Sequence, residues 1–111
     1  MAKIYLEKLS RMISDLDIED KVSAKLEVKH FFNGAALYAD EVICASWSPA
    51  GLAFKLPEPE VARLIASGKA GPLKYFEKGH VKKDYAAFEN PGSGKKSSWI
   101  KYFLKAVEQA T

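Results

Sequence analysis

Between residues 25 and 56, apolar and polar side chains alternate with a period of two, broken only at short polar or glycine-bearing steps. Leu26, Val28, His30 and Phe32 alternate with Lys25, Glu27, Lys29 and Phe31, the pattern of a half-buried strand. Asn33-Gly34 follows as a turn or bulge pair, glycine being free to take positive φ. Ala35 to Ala39 predicts a short strand, Ala39-Asp40-Glu41 a tight reversal, and Val42 to Trp47 a further strand rich in β-formers. Ser48-Pro49-Ala50-Gly51 is a turn by composition, after which Leu52, Phe54 and Leu56 alternate with Ala53 and Lys55. The last three strands are expected to form a meander.

Outside this stretch the period changes to three and four. Tyr5, Leu9, Met12, Ile13 and Leu16 share one side of a segment whose other side carries Lys8, Arg11 and Asp15, predicting an amphipathic helix from Ile4 to Leu16. Asp17 to Ser23 reads as an acidic connector. Pro57 stops the meander, Pro59 suits a first helical turn, Val61, Leu64 and Ile65 form one stripe, and Gly68 ends that helix. Leu73 to Phe76 and Asp84 to Phe88 are short strand candidates on either side of a polar turn, Glu77 to Lys83. After the loop Asn90 to Lys96, Ser97 or Ser98 can cap a final helix with Trp99, Ile100, Phe103, Leu104, Val107 and Ala110 on a broad apolar face. The element order helix, three strands, helix, two strands, helix predicts a two-layer α+β fold. Its antiparallel β-sheet has about five strands, with helices on one face.

The chain has 111 residues, 48% of them hydrophobic, which suits one domain over residues 1–111 with a core that needs no staples. No apolar run is long enough to cross a bilayer, and Lys3, Glu7 and Lys8 interrupt the N-terminus where a signal peptide would be apolar, so a cytoplasmic location without membrane association is expected. The single cysteine, Cys44, sits among apolar strand neighbours and fits a small buried side chain in a reducing compartment. Charge is unevenly spread. Through residue 68 there are eight Lys and Arg against ten Asp and Glu, whereas residues 69–111 carry nine Lys against four acidic groups. A basic field of this kind attracts nucleic acid or an acidic protein, although all nine cations are lysine and lack the fork geometry of arginine.

Few residues point to bond-making chemistry. Gly92-Ser93-Gly94-Lys95-Lys96-Ser97 is glycine-rich, basic and placed before a helix, but Glu89 and Ser97 stand where a P-loop and a dinucleotide fingerprint require glycine. His30 and His80 have no second cysteine or nearby histidine to complete a zinc site, and neither has an identifiable partner for general-base work. Glu58 and Glu60 complement a helix N-terminus, while Asp17, Glu19 and Asp20 read as solvated. The many aromatic residues, Tyr75, Tyr85, Phe88, Trp99 and Tyr102 among them, mostly fall at core-facing periods. No catalytic residue, cofactor or metal is expected.

The block His30 to Asp40, with Leu52-Ala53-Phe54-Lys55 and the late helix containing Trp99, resembles the N-terminal domain of the TfoX/Sxy competence regulators over almost the whole chain. Members of that family typically show a Met-Phe-Gly-Gly element, represented here by Phe31-Phe32-Asn33-Gly34. An aliphatic-Tyr-x-Asp-Gly turn is matched by Leu37-Tyr38-Ala39-Asp40-Glu41, and a Leu-Tyr-Leu-Lys strand by Leu52-Ala53-Phe54-Lys55. Asn33 stands at the first glycine, Glu41 at the turn glycine, and His30 where the family has arginine. Asparagine also tolerates positive φ, so the turn geometry is expected to persist. The resemblance implies a fold similar to type III secretion chaperones and action by binding other proteins, often as dimers. Complete regulators carry a second, helical domain that these 111 residues do not include, so no DNA-associated role is carried over from it.

The expectation is therefore a non-enzymatic, regulatory interaction module of a bacterial cell. Its protein partner, or a second copy in a homodimer, is expected at the sheet edge or face around Phe31, Tyr38 and Trp47. The competing expectation is a nucleic-acid-binding accessory protein using Lys82, Lys83, Lys95 and Lys96, with Lys69, Lys74, Lys78 and Lys101 as further basic positions.

Overall fold

The computed structural model describes residues 2–31, 34–73, 82–89 and 96–111. Helix α1 (Ala2–Asp15) is followed by a single turn, α2 (Ile18–Lys21), and then by strands β1 (Leu26–Phe31), β2 (Gly34–Ala39), β3 (Val42–Ser48) and β4 (Gly51–Lys55). Helix α3 (Glu58–Ala66), strands β5 (Gly71–Leu73) and β6 (Lys82–Phe88), and helix α4 (Lys96–Ala110) complete the chain. All strand pairs are antiparallel, in the order β1-β2-β3-β4-β6-β5.

The α+β class with an antiparallel sheet and helices on one face is as expected, but the sheet has six strands instead of about five. Four strands precede α3, one more than the predicted element order counted, since the half-buried strand read from Leu26 onward joins the sheet beside the meander. The acidic connector is also more structured than its composition indicates. Asp17, at φ 54, turns the chain sharply; of the two apolar residues of the run, Ile18 is completely buried and Val22 packs partly buried against the core. At the other end, α4 starts at Lys96, so Ser97 and Ser98 lie within its first turn and do not cap it. Strand β5 ends at Leu73, and the remainder of the predicted 73–76 strand, the turn after it, His80, Asn33 and the 90–95 loop lie outside the described residues.

Strand register sorts the sheet into two faces. Leu37 opposes Ala45, Ala45 opposes Phe54 and Phe54 opposes Ala86, so these residues share the helix-covered face with Leu26, Val28, Trp47, Leu52 and Phe88. Their apolar surface packs against Leu9 and Ile13 of α1, Val61 of α3, and Trp99, Phe103 and Val107 of α4. Phe54 is the hub of this core. Its ring lies 4.8 Å from Phe103, 5.7 Å from Tyr102 and 5.9 Å from Phe88, and its complete burial contributes about 1.5–3 kcal/mol. An ion pair between Lys105 and Glu60 ties α4 to α3.

The opposite face carries smaller residues. Lys29, Ala36, Ser46, Ala53, Ala87 and Gly71 follow one another across successive strands, with Tyr38, Lys55 and Tyr85 beside them. Ala36 and Ala53 are completely buried and Ser46 is 1% exposed, so the middle of this face is closed to solvent.

Candidate functional site

The two sheet edges differ. Strand β5 has three residues, one of them Pro72, which offers no N–H and blunts pairing. Strand β1 has six residues and no proline, and among the described residues it pairs with β2 alone. Its backbone orientation follows from the end of the β1–β2 ladder, where Asp40 N donates to Lys25 O at 2.9 Å and Lys25 N donates to Asp40 Oδ1 at 2.9 Å. Residues of an antiparallel strand alternate between facing one neighbour and the other. With Lys25 turned toward Asp40, the backbone groups of Glu27, Lys29 and Phe31 also point to β2, and those of Leu26, Val28 and His30 point out of the sheet.

Side chains along this edge are arranged by the same alternation. Glu27, Lys29 and Phe31 share the face that carries Tyr38, while Leu26 and Val28 turn to the helix side. Lys29 Nζ stands 3.8 Å from Glu27 Oε2 and 5.2 Å from the centre of the Tyr38 ring. Leu26 and Val28 are half-buried at a groove of about 260 Å³ that Ser10, Ile13 and Ser14 of α1 close from above. The structure thus brings Phe31 and Tyr38 to one face, both half-buried, but places Trp47 on the other. Trp47 packs into the helix-side core, with Lys8 Nζ of α1 5.8 Å from its ring centre.

A second feature lies between the α3–β5 turn and α4. Lys69, Ala70 and Gly71 on one side and Ser98, Trp99 and Tyr102 on the other enclose an open hollow of about 560 Å³ floored by Phe88. Tyr102 also lines an adjoining hollow of about 300 Å³ with Arg63, Lys69 and Lys101. The turn that presents Lys69 is fixed by Gly68 at φ 79 and by the Lys69 and Ala70 amides donating to Leu64 O at 3.1 and 3.2 Å. Of the basic residues predicted to contact nucleic acid, Lys69 and Lys101 meet here, joined by Arg63. No signal in the sequence ties Arg63, on a helix of the acidic half, to Lys101 on the far side of β5. Lys83 and Lys96 are exposed but sit toward opposite ends of β6, since α4 begins near Phe88, whose ring is 5.1 Å from Trp99. A strand rise of about 3.3 Å per residue separates Lys83 from Phe88 by roughly 17 Å. Lys82 opens β6 with its side chain outside the described residues, as are Lys74, Lys78 and Lys95.

Cys44 occupies a bulge. The register passes from Leu37 opposite Ala45 to Tyr38 opposite Ile43, leaving Cys44 as the extra residue, turned into the core beside Ala45. Its Sγ lies 3.5 Å from Leu37 O, and burial pushes the thiol up to about 12 against the partial opposing pull of Lys55. Such a thiol is a poor nucleophile at neutral pH. His30 is exposed on β1, and among the described residues no three of His, Cys, Asp and Glu converge. Nor is any described helix long and apolar enough to cross a membrane. Compared with protein-family models, curated proteins and solved structures, the chain matches none.

Proposed function

We propose that this protein is a non-enzymatic interaction module that docks a protein strand along β1. The observation that carries this is the asymmetry of the sheet: six residues of β1 present outward N–H and C=O groups at Leu26, Val28 and His30, whereas β5 is short and holds Pro72. Strand addition supplies main-chain hydrogen bonds, and neighbouring side chains supply selectivity. Phe31 and Tyr38 flank the edge on one face as aromatic anchors, with Leu26 and Val28 on the other. The closed centre of the far face favours the edge over the face as the contact surface. The resemblance to TfoX/Sxy N-terminal domains supports the same mode of action and adds a regulatory, cytoplasmic setting in a bacterial cell.

The test is affinity capture from the native cell at low and high salt with wild type and Val28→Pro. Because the Val28 amide points away from β2, proline there removes a docking donor without removing a ladder bond. Wild type is expected to retain a protein partner at both salt concentrations, and Val28→Pro is expected to lose it while keeping its melting temperature within a few degrees. Equal capture by the two proteins would sink the proposal.

A second reading, binding of single-stranded nucleic acid, is favoured by one observation: Arg63, Lys69 and Lys101 line one hollow with the partly exposed Tyr102 and with Glu60, whose carboxylate is paired with Lys105. Cations beside an aromatic platform are the combination that holds unpaired bases and their phosphates.

A further inference from the structure

We propose that the occupant of the β1 edge is a second copy of this chain, paired antiparallel about a two-fold axis through Val28. The inference rests on β1 being a docking edge and goes further by naming the occupant and its register.

In a two-fold antiparallel pair of identical strands the axis falls on one residue, and every other residue faces its mirror position. Three registers keep most of β1 paired. With the axis at Glu27, two Glu27 carboxylates face each other; with the axis at Lys29, two ammonium groups do. Like charges directly opposite are destabilising. With the axis at Val28, each Glu27 faces the second copy's Lys29, Leu26 faces the second copy's His30, and the two Val28 side chains meet. Charge alone therefore selects one register of the three.

The backbone favours the same register: an axis at Glu27 or Lys29 also sets outward residues opposite each other, but pairs only two of the three within β1. Val28 is one of the residues whose N–H and C=O point out of the sheet, so an axis there makes Val28 a hydrogen-bonded pair with its counterpart. Leu26 and His30, also outward, form the next two such pairs. All three outward residues of each copy are then satisfied, and the six-stranded sheets join into one of twelve strands. Leu26 and Val28, half-buried at the groove under α1, gain further cover from the second copy on the helix side. Glu27 and Lys29 already lie within 3.8 Å in one chain. Dimerisation turns two such pairs into a four-charge cluster of alternating sign on the far face.

The experiment is sedimentation equilibrium from micromolar to millimolar protein. Wild type is expected to show a reversible dimer. Glu27→Lys or Lys29→Glu, each placing two like-charge pairs in the interface, weakens it on the order of tenfold. The double exchange of both charges restores self-association but pairs with wild type about tenfold more weakly, because every facing pair in the mixture has like charges. In a Cys44→Ala background, Val28→Cys is expected to form an intermolecular disulfide, since hydrogen-bonded pairs hold their Cα atoms about 5.5 Å apart. Lys29→Cys should not, its counterpart lying about 8 Å away at a strand spacing of about 4.8 Å and a two-residue offset. A dimer indifferent to both charges, or cross-linked at Lys29→Cys in preference to Val28→Cys, overturns the register. A monomer at every concentration overturns the second copy as occupant. If that monomer still loses a captured protein through Val28→Pro, docking at the edge stands without it.

Discussion

At the scale of single residues, the two reversals around β2 show how a backbone constraint can be met by an unsuitable side chain. Asp40 and Glu41 both have positive φ, 48° and 70°, the signature of a tight type I′ hairpin. Asp40 tolerates that region and uses its carboxylate to accept the Lys25 amide. Glu41 has no such compensation and is exposed, so Glu41→Gly is expected to stabilise the protein by about 1 kcal/mol, raising the thermal midpoint by several degrees. Gly34 is the opposite case. A Cβ there would come within 2.9 Å of Ser48 Cα and closer still to the Trp47 carbonyl oxygen, so Gly34→Ala should lower the midpoint in the same melting series. The glycine pattern made Gly34 legible from sequence as a special position, though by a turn argument. The tight approach of β3 is what requires it.

Among elements, β3 carries the feature least visible in sequence. Its run Val42 to Trp47 reads as one regular strand, yet the bulge at Cys44 turns both Cys44 and Ala45 toward the core and reverses the alternation before them. Only the pairing with β2 decides this, since a two-residue period has no mark for where an extra residue is inserted. The expected consequence is a thiol that reacts with an aromatic disulfide reagent only after denaturation. Its pH linkage has a definite sign. The folded-state value is raised from 9.0 to about 12, so the stability involved is intact below pH 9 and is lost as pH climbs from 9 toward 12, where the unfolded chain ionises first. Cys44→Ala should flatten that part of the curve in chemical-denaturation series at stepped pH, and an unchanged slope would count against a buried thiol. Helices α1, α3 and α4 were legible because their apolar stripes are long. The one-turn α2 was not, being four residues with one buried isoleucine.

For the whole molecule, charge and topology act together. Folding draws Lys69 and Lys101 from the basic C-terminal part toward Arg63 of the acidic part, making a local cationic hollow that a count along the chain does not locate. If this hollow holds single-stranded nucleic acid, Lys69→Glu with Lys101→Glu abolishes binding of a fluorescent oligonucleotide at low salt. Each lost phosphate contact should reduce the slope of log affinity against log salt by about 0.7. An oligonucleotide bound equally by the double variant removes this second reading. The sheet order bears on the first reading. Because β6 inserts beside β4 and β5 lies outside it, the C-terminal edge falls to a three-residue strand with Pro72, leaving β1 as the long edge.

Sequence by itself determined the α+β class, the antiparallel meander and the three main helices with their buried stripes, because these follow from local periodicity. It did not determine which strand forms the open edge, that Trp47 parts from Phe31 and Tyr38, or that Arg63 joins Lys69 and Lys101. Those depend on strand order and register, which bring together residues far apart in the chain and leave no periodic trace in either partner alone.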